Sequence, residues 1–485
     1  MSVRQVRVTK VVRGNGAFYL LIAGAFAFLT IPRMAQAGMF VDGVTYAAIS
    51  RNLADGVGRV WAPFYTATGY PQFFDHPPLG FVLQAAAFTV FGDHLAVERG
   101  YAVALGGLTG LLIMLIWRDT VRDAAYDWLP IIFWLLPSVV TWSIVNNMLE
   151  TTQAAFTTLA VFAFVHSFRS SMAWAWGLLA GCSILGAVLT KGPTGFFPLA
   201  TPLIAALVLR DRAREALRTG AMMLVAVVAV GAVVCWPSAP RAALSTYWDQ
   251  QVVASMSGAR AGGERWSSLA RHLTGGVLMR MGALFALAGV CCSSFARSTD
   301  DRGGKRQTAW TVFFLVLALA GSLPIALSER IAGHYLVPSI PLYALGFASL
   351  SLPVIGPAFN RWRGRKSVTR VIGSLGMLLL IGSVAVPVLA GALERRDVDW
   401  MTEFGRLSSS VPGDTTLGTC EAVKADWGLH AYMMRFFSVS LDAEPGHDHA
   451  FYLQLTDREC AAPPACRPTA ITNRFVLLAC QAGGP

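Results

Sequence analysis

Hydrophobic residues occur in long blocks that are separated by short polar connections along most of the chain. A helix needs about 20 apolar residues, within a range of about 17–25, to cross about 30 Å of hydrocarbon. Another block, 78–91, is shorter, which is typical of a helix that lies at the membrane interface. The pattern predicts a polytopic α-helical membrane protein with about 11–13 transmembrane helices. The predicted spans are 17–32, 99–117, 128–146, 152–168, 173–190, 193–209, 219–236, 273–292, 309–327, 334–355 and 371–392.

Composition supports this class. The 485 residues are 54% hydrophobic and 14% charged, against about 45–50% and about 25% in ordinary soluble domains. These values exclude a soluble enzyme, a disordered chain and a fibrous protein. The net charge is +11, but the basic residues lie mainly in short connections and no base-reading motif accompanies them. We therefore expect membrane lipids rather than nucleic acid as partners, and a monomer.

The basic connections also predict an orientation. The connection that contains Arg361, Arg363, Arg365, Lys366 and Arg370 has no acidic residue. Such runs favour the cytoplasmic side of a membrane. If 78–91 does not cross the membrane, this connection and the N-terminus are cytoplasmic, and everything after residue 393 lies outside.

The chain then divides into a transmembrane domain, 1–393, and a small C-terminal α/β domain, 394–485. The predicted strands of the second domain are Thr416–Thr419, Phe437–Leu441, Phe451–Leu455 and Phe475–Cys480, with a helix over Val423–Met433. Its four cysteines, Cys420, Cys460, Cys466 and Cys480, are consistent with two disulfides in an oxidising compartment. Their spacing leaves the pairing open.

The first outer connection, 38–98, is too long for a simple turn, and it carries candidate chemistry. Tyr46, Ile49 and Leu53 recur at helical spacing, which predicts an interfacial amphipathic helix. Asp42 stands at the start of this helix. It is a candidate general base, and the alternative interpretation is that it caps the helix.

The predicted orientation places further polar residues on the same outer face as Asp42, namely Glu150, Lys191, Arg330, His334 and His76. Ionisable residues at membrane depth are costly and usually functional. The alternative for Lys191 is that its side chain reaches to the lipid headgroups. Cations at this level suit a departing lipid phosphate, and Lys191, Arg260 and Arg330 are the candidates.

No metal site is predicted. His447-Asp448-His449 is interpreted as a polar loop, although Asp42 and Glu150 together could hold a divalent ion. No cofactor is required by any residue of the sequence.

These motifs together resemble a known group of enzymes. In chain order they are Asp42-x-x-x-Tyr46, Arg51-Asn52-Leu53-Ala54-x-Gly56, His76-Pro77-Pro78-Leu79, Glu150, Thr190-Lys191-Gly192-Pro193 and His334-Tyr335-Leu336-x-Pro338. The chain resembles the C-superfamily of glycosyltransferases (GT-C), in the branch of the aminoarabinose lipid A transferases and the dolichyl-phosphate-mannose protein mannosyltransferases. The resemblance is carried by the order of these motifs along the chain and by their predicted position on one face of the membrane.

The resemblance implies a GT-C-type helical bundle with a periplasmic C-terminal domain in the bacterial inner membrane. It implies an inverting transfer of a sugar from a polyprenyl-phosphate donor to a lipid, glycan or protein acceptor. Asp42 matches the catalytic carboxylate and Glu150 the second acidic position. The positions that match donor-phosphate or substrate contacts are Lys191, His76, Arg51, Arg260, Arg330, His334 and Tyr335.

The alternative function is a transporter or flippase for a lipid or sugar. Transporters usually carry internal repeats and broken helices near the midplane of the membrane. No repeat is visible in this sequence, so the pattern favours a transferase.

Overall fold

Helices make up most of the chain. The computed structural model describes residues 3–121, 123–257, 265–292, 301–328, 330–363, 365–390, 396–444, 447–456 and 466–480. The first helices are α1 (Val3–Met34), α2 (Val41–Ala54), α3 (Leu79–Phe91), α4 (Leu95–Thr120), α5 (Leu129–Leu135), α6 (Ser138–Val145), α7 (Leu149–Ser167), α8 (Ala173–Lys191), α9 (Thr201–Val208) and α10 (Ala213–Cys235). They are followed by α11 (Ser238–Tyr247), α12 (Ala254–Met256), α13 (Arg265–Arg271), α14 (Met279–Cys292), α15 (Asp301–Ser322), α16 (Ile340–Arg363), α17 (Lys366–Ala390), α18 (Val398–Ser408), α19 (Glu421–Lys424) and α20 (Trp427–Phe437). The strands are β1 (Gly58–Arg59), β2 (Ala62–Pro63), β3 (Thr416–Gly418), β4 (Ser440–Asp442), β5 (Phe451–Leu455), β6 (Cys466–Ile471) and β7 (Phe475–Cys480).

The chain forms two compact units. The helical unit contains Met1–Pro32, Ala102–Val145 and Leu149–Ala390, and the mixed unit contains Arg33–Tyr101, Asn146–Met148 and Gly391–Pro485. The first long connection thus folds in the same unit as the C-terminal segment. Two of the three segments of the mixed unit come from within the predicted transmembrane domain.

The helical unit contains most of the membrane-spanning helices. Among the described residues of the whole chain, eight helices are long and apolar enough to cross a membrane, and one bent pair would make nine. Its core contains large side chains such as Trp117, Phe133 and Phe313, which are fully buried. The predicted polytopic helical fold is therefore confirmed.

Three of the predicted spans differ from simple helices for local reasons. The span 128–146 is divided at Pro137, and its halves, Ala124–Leu135 and Ser138–Val145, bend by 76°. Pro137 has no N–H to donate and its ring obstructs the preceding turn. Prolines also divide the span 193–209 into a 3₁₀ segment, Pro193–Ala200, and the short α9. The span 152–168 becomes α7, whose first turns are polar.

The mixed unit is built around a five-stranded sheet of the described strands, in the order β4-β3-β5-β7-β6. β3 pairs in parallel with β4 and β5, whereas β7 is antiparallel to β5 and β6. Four strands were predicted within a few residues of their observed bounds. β6 was not, because Pro468 and its polar neighbours weaken the alternating pattern. The predicted helix over Val423–Met433 is two helices, because Asp426 caps the start of α20 by accepting a hydrogen bond from the backbone N–H of Leu429.

Charged contacts attach α20 to the first connection within the mixed unit. Arg435 donates to Glu98, with 2.7 Å between Nε and Oε2, and its Nη1 lies 2.7 Å from Asp93. Helix α2 packs against α3 and α20. Its residues from Gly43 to Asn52 are all buried, whereas the amphipathic pattern predicts only one buried face. Contacts with two helices, α3 and α20, rather than with one account for the additional burial.

One of the two predicted disulfides is described in full, between Cys466 and Cys480. Cys420 is also disulfide-bonded, and Cys460 lies outside the described residues. Cys182, Cys235 and Cys291, in the helical unit, are free thiols.

Candidate active site

A buried ion pair joins α7 and α8 in the helical unit. Glu150, in the first turn of α7, is only 1% exposed, and its Oε1 lies 2.6 Å from Nζ of Lys191 at the end of α8. The other carboxylate oxygen, Oε2, has no hydrogen-bond partner among the described residues. A charge at such depth is stable only when it is compensated. The two residues that the sequence predicts to share a membrane face are therefore in contact.

His334 and Tyr335 complete this cluster. Nε2 of His334 lies 3.5 Å from Oε1 of Glu150, and its ring stacks on Trp142 with 5.6 Å between the ring centres. Burial lowers the pKa of His334. The charge of Glu150 opposes this shift, whereas Lys191 and His272 add to it. The imidazole of His334 is therefore neutral at neutral pH. Tyr335 contacts the other side chain of the pair, since Nζ of Lys191 lies 5.4 Å from the centre of its ring.

The end of α8 fixes the position of Lys191. Gly192 follows with a φ of +82°, which is costly for residues with a Cβ atom. A Cβ at this position would also overlap the hydroxyl of Tyr247. Pro193 then begins the next segment. Glycine is therefore required at position 192 for two independent reasons, and the lysine is held at the carboxyl end of a helix, where a cation is favourable.

A row of polar side chains along α7 faces the same region. Gln153 donates from Nε2 to the carbonyl oxygen of Ala187 at 3.3 Å and to Oγ1 of Thr194 at 3.1 Å. Thr157 donates to the carbonyl oxygen of Pro338 at 3.4 Å. Glu150, Gln153 and Thr157 thus support the segments that carry Lys191 and His334. Gln153 is not among the residues predicted from the sequence, although the i, i+3, i+7 spacing of Glu150, Gln153 and Thr157 indicates one helix face.

Asp42 lies in the mixed unit, in the first turn of α2. The N-cap residue of this helix is Phe40, and Asp42 lies one position inside the first turn. Oδ1 of Asn146 accepts a hydrogen bond from the backbone N–H of Phe40 at 2.7 Å. Asn147 donates to the carbonyl oxygen of Gly43 at 3.2 Å. Two amide side chains from a three-residue segment therefore hold the start of α2.

Hydroxyl groups surround this helix start. Oγ1 of Thr45 and the hydroxyl of Tyr65 are 3.2 Å apart, and Tyr65 is fully buried. Burial raises the pKa of Tyr65. The hydrogen bond with Thr45 opposes this shift, and the charge of Asp42 adds to it. Asp42 is therefore close enough to act electrostatically on this hydroxyl.

His76 and Arg51 also lie in the mixed unit. Nε2 of His76 and the hydroxyl of Tyr46 are 3.0 Å apart. Arg51 donates to Oγ of Ser438 at 2.9 Å and to the carbonyl oxygen of Met434 at 2.8 Å. These contacts give Arg51 a structural role in joining α2 to α20, while its role in substrate binding stays a prediction.

The other two predicted cations are not part of the cluster around Glu150 that the structure describes. Arg330 is exposed, and Arg260 lies outside the described residues. Their contact with a donor phosphate stays a prediction.

Comparison with known proteins agrees with these features. Residues 75–239 match the family of dolichyl-phosphate-mannose-protein mannosyltransferases. The match covers about a third of the chain and includes His76, Glu150 and Lys191. No curated protein sequence matches the chain.

Solved structures share the fold of the chain. The crystal structure of ArnT from Cupriavidus metallidurans bound to undecaprenyl phosphate has a TM-score of 0.65 at 18% identity, covering 97% of this chain and 99% of that chain. The apo structure of the same protein has a TM-score of 0.63 at 16% identity, covering 96% and 98%. The oligosaccharyltransferase AglB from Archaeoglobus fulgidus, in complex with an inhibitory peptide and a dolichol-phosphate, has a TM-score of 0.51 at 15% identity, covering 88% and 65%. The predicted resemblance to the GT-C superfamily is confirmed.

Proposed function

We propose that this multi-pass membrane protein is an inverting glycosyltransferase that uses a polyprenyl-phosphate sugar as its donor. The acceptor is a lipid, a glycan or a protein on the periplasmic face of a bacterial inner membrane. The donor class is supported by the undecaprenyl phosphate bound to ArnT and the dolichol-phosphate bound to AglB. The orientation is supported by the acid-free basic run around Arg363.

The main support is the buried cluster of Glu150, Lys191 and His334. Burying a carboxylate and an ammonium group costs several kcal/mol per ion. A helical unit that needed only stability would do as well with apolar residues at these positions. The two charged residues also lie within the segment that matches the mannosyltransferase family. A membrane protein that keeps such a pair is using it for chemistry or binding.

The reaction is a single displacement. The oxygen of an acceptor hydroxyl attacks the anomeric carbon of the donor sugar, and the bond between that carbon and the phosphate oxygen breaks. The proton of the hydroxyl passes to the carboxylate of Asp42, and the polyprenyl phosphate leaves with the bonding electrons. Lys191 stabilises the charge that develops on this phosphate. Attack from the face opposite the phosphate inverts the anomeric centre.

Glu150 and His334 have positioning roles in this proposal. The carboxylate of Glu150 orients the ammonium group of Lys191 through the 2.6 Å contact. Neutral His334 lies beside the pair without adding a charge. When the donor phosphate binds, Lys191 would interact with two anions, the phosphate and the carboxylate of Glu150. Because the carboxylate competes for the ammonium group, the lipid phosphate can be held and then released.

The test is mass spectrometry of lipids and glycans from cells with and without the gene. In the deletion strain one acceptor should lose a sugar, and the polyprenyl-phosphate donor that still carries this sugar should accumulate. The wild-type gene should reverse both changes. A Lys191→Met variant should fail to restore the acceptor, because it keeps the chain length and removes the charge. Lys366→Met, at an exposed lysine, is the matched control and should restore it fully.

A second experiment, with purified protein, addresses the transporter alternative. Purified protein in vesicles containing donor and acceptor should release free polyprenyl phosphate as the sugar is transferred. A transporter would move the lipid between leaflets and release none. Unchanged glycolipids in the deletion strain, or full activity of Lys191→Met, would refute the proposal.

A further inference from the structure

Three side chains of types that commonly bind metals lie close together at the end of β4 in the mixed unit. Asp442 ends β4, and His447 and His449 lie in the connection that leads to β5. Oδ2 of Asp442 is 2.7 Å from Nδ1 of His447 and 2.9 Å from Nε2 of His449. The three ligand atoms all lie within 4.8 Å of one another. One carboxylate oxygen therefore faces two imidazole nitrogens.

We propose that Asp442, His447 and His449 form a binding site for a divalent transition metal ion of the zinc type. Zinc binds imidazole nitrogen and carboxylate oxygen at about 2.0–2.2 Å, in tetrahedral geometry. Tetrahedral geometry places neighbouring ligand atoms about 3.3 Å apart. The distances observed here are those of hydrogen bonds, and an outward shift of about half an ångström would admit the ion.

The fold holds two of the three ligands in place. The second oxygen of Asp442, Oδ1, accepts a hydrogen bond from the backbone N–H of Glu444 at 3.0 Å. The side chain of Asp442 is only 3% exposed. The ring of His449 packs against Gly418 at the end of β3, where a Cβ atom would come within 3.1 Å of the ring. Carboxylates and imidazoles whose orientation is fixed in this way bind metals more tightly.

The third ligand, His447, can move to fit the ion. The side chain of His447 is 61% exposed, so it can move to complete the coordination without disturbing the core. Three protein ligands leave the fourth position of a zinc ion to water or to another molecule. The sequence shows the triplet His447-Asp448-His449, and only the fold brings Asp442 to the two imidazoles. The three residues belong to the mixed unit, whereas Glu150 and Lys191 belong to the helical unit, and the metal proposal does not depend on the proposed transfer reaction.

The test is a Co²⁺ titration of the purified full-length protein in detergent after removal of bound metal with a chelator. Co²⁺ is the probe because its visible absorption reports coordination by imidazole and carboxylate ligands. Wild-type protein should bind Co²⁺ in a way that saturates and that Zn²⁺ reverses. His447→Ala should weaken this binding by more than about 100-fold, since loss of an outer-shell partner alone typically costs about 10–100-fold.

His94→Ala is the matched control, because it removes an exposed histidine of the same unit that lies outside the cluster. It should bind Co²⁺ like the wild type. The His447→Ala/His449→Ala double variant should lose the absorption signal of this site, while thermal unfolding confirms that the protein is folded. An unchanged spectrum and affinity in the double variant would overturn the proposal. Failure of the wild type to bind Co²⁺ would show that the three side chains only hydrogen-bond to one another.

Discussion

The two carboxylates assigned to the reaction lie in very different surroundings. Glu150 is enclosed, with Lys191 at 2.6 Å and His334 at 3.5 Å. The start of the helix that carries Asp42 is instead held by neutral amide groups, from Asn146 and Asn147, with the hydroxyl of Tyr65 nearby. The contact with Lys191 supports the proposed role of Glu150 in positioning a cation, and Asp42 stays the proposed proton acceptor.

Replacing Asp42 should have the largest effect. Asp42→Asn keeps the volume and removes the base, and general-base catalysis contributes about 10²–10⁴-fold to a rate. We expect sugar transfer to fall by about that factor, with little change in the melting temperature. The measurement is turnover of donor lipid by the purified variant, and Asp55→Asn, at an exposed acid that follows the same helix, is the control. Activity of Asp42→Asn near that of the control would remove Asp42 from the mechanism.

Breaking the buried pair should affect stability as well as activity. Removing one partner leaves a buried charge uncompensated, which costs about 3–5 kcal/mol. Glu150→Gln and Lys191→Met should each lower the free energy of unfolding by about this amount. The double variant should be more stable than either single variant and still inactive. Additive losses of stability in thermal or denaturant unfolding would show that the two charges do not compensate each other.

The glycines beside the two carboxylate sites should produce smaller effects. A Cβ at Gly43 would overlap the carbonyl oxygen of Asn146, and one at Gly192 would overlap the hydroxyl of Tyr247. Gly43→Ala and Gly192→Ala should each destabilise the protein by about 1–3 kcal/mol. Gly107→Ala is the control, because that exposed helical glycine has open space around it, and alanine there should be neutral or stabilising.

A second variant separates the two requirements at position 192. Tyr247→Phe removes the oxygen that the new methyl group would overlap, so Gly192→Ala/Tyr247→Phe should recover part of the lost stability. The remaining loss would combine the cost of the positive φ angle, about 1–3 kcal/mol, with the approach of the methyl group to the ring, whose Cζ would lie 2.8 Å away. No recovery in the double variant would mean that the hydroxyl of Tyr247 does not contribute to the requirement for glycine at this position.

The sequence predicts the helices and most of the sheet because both follow from periodicity. Long apolar blocks predict most of the spans. Pro137 shows how one residue divides a block, whereas α16 and α17 continue through their own prolines. The alternation of apolar and polar residues predicts β5 and β7. It does not predict β6, because this edge strand contains Pro468 and polar residues. Within the helical unit, the shared orientation of Glu150 and Lys191 correctly indicates that they are neighbours.

Other features depend on contacts between distant segments, which periodicity does not encode. Nothing local in Asn146–Met148 indicates that these residues fold with the first connection rather than with the helices on either side. The hydrogen bonds of Gln153 depend on where α8 ends. Each of these requires the three-dimensional arrangement.

The discontinuous mixed unit has a consequence for biosynthesis. Arg51 donates to the carbonyl oxygen of Met434, and Arg435 donates to Glu98, across separations of 383 and 337 residues. At about 5–20 residues per second, a ribosome needs roughly 15–60 s to make residues 102–390, which separate the two main parts of this unit. Throughout this interval the nascent first connection lacks α20, against which α2 packs. The newly inserted protein is therefore most exposed to chaperones and proteases before its last segment emerges.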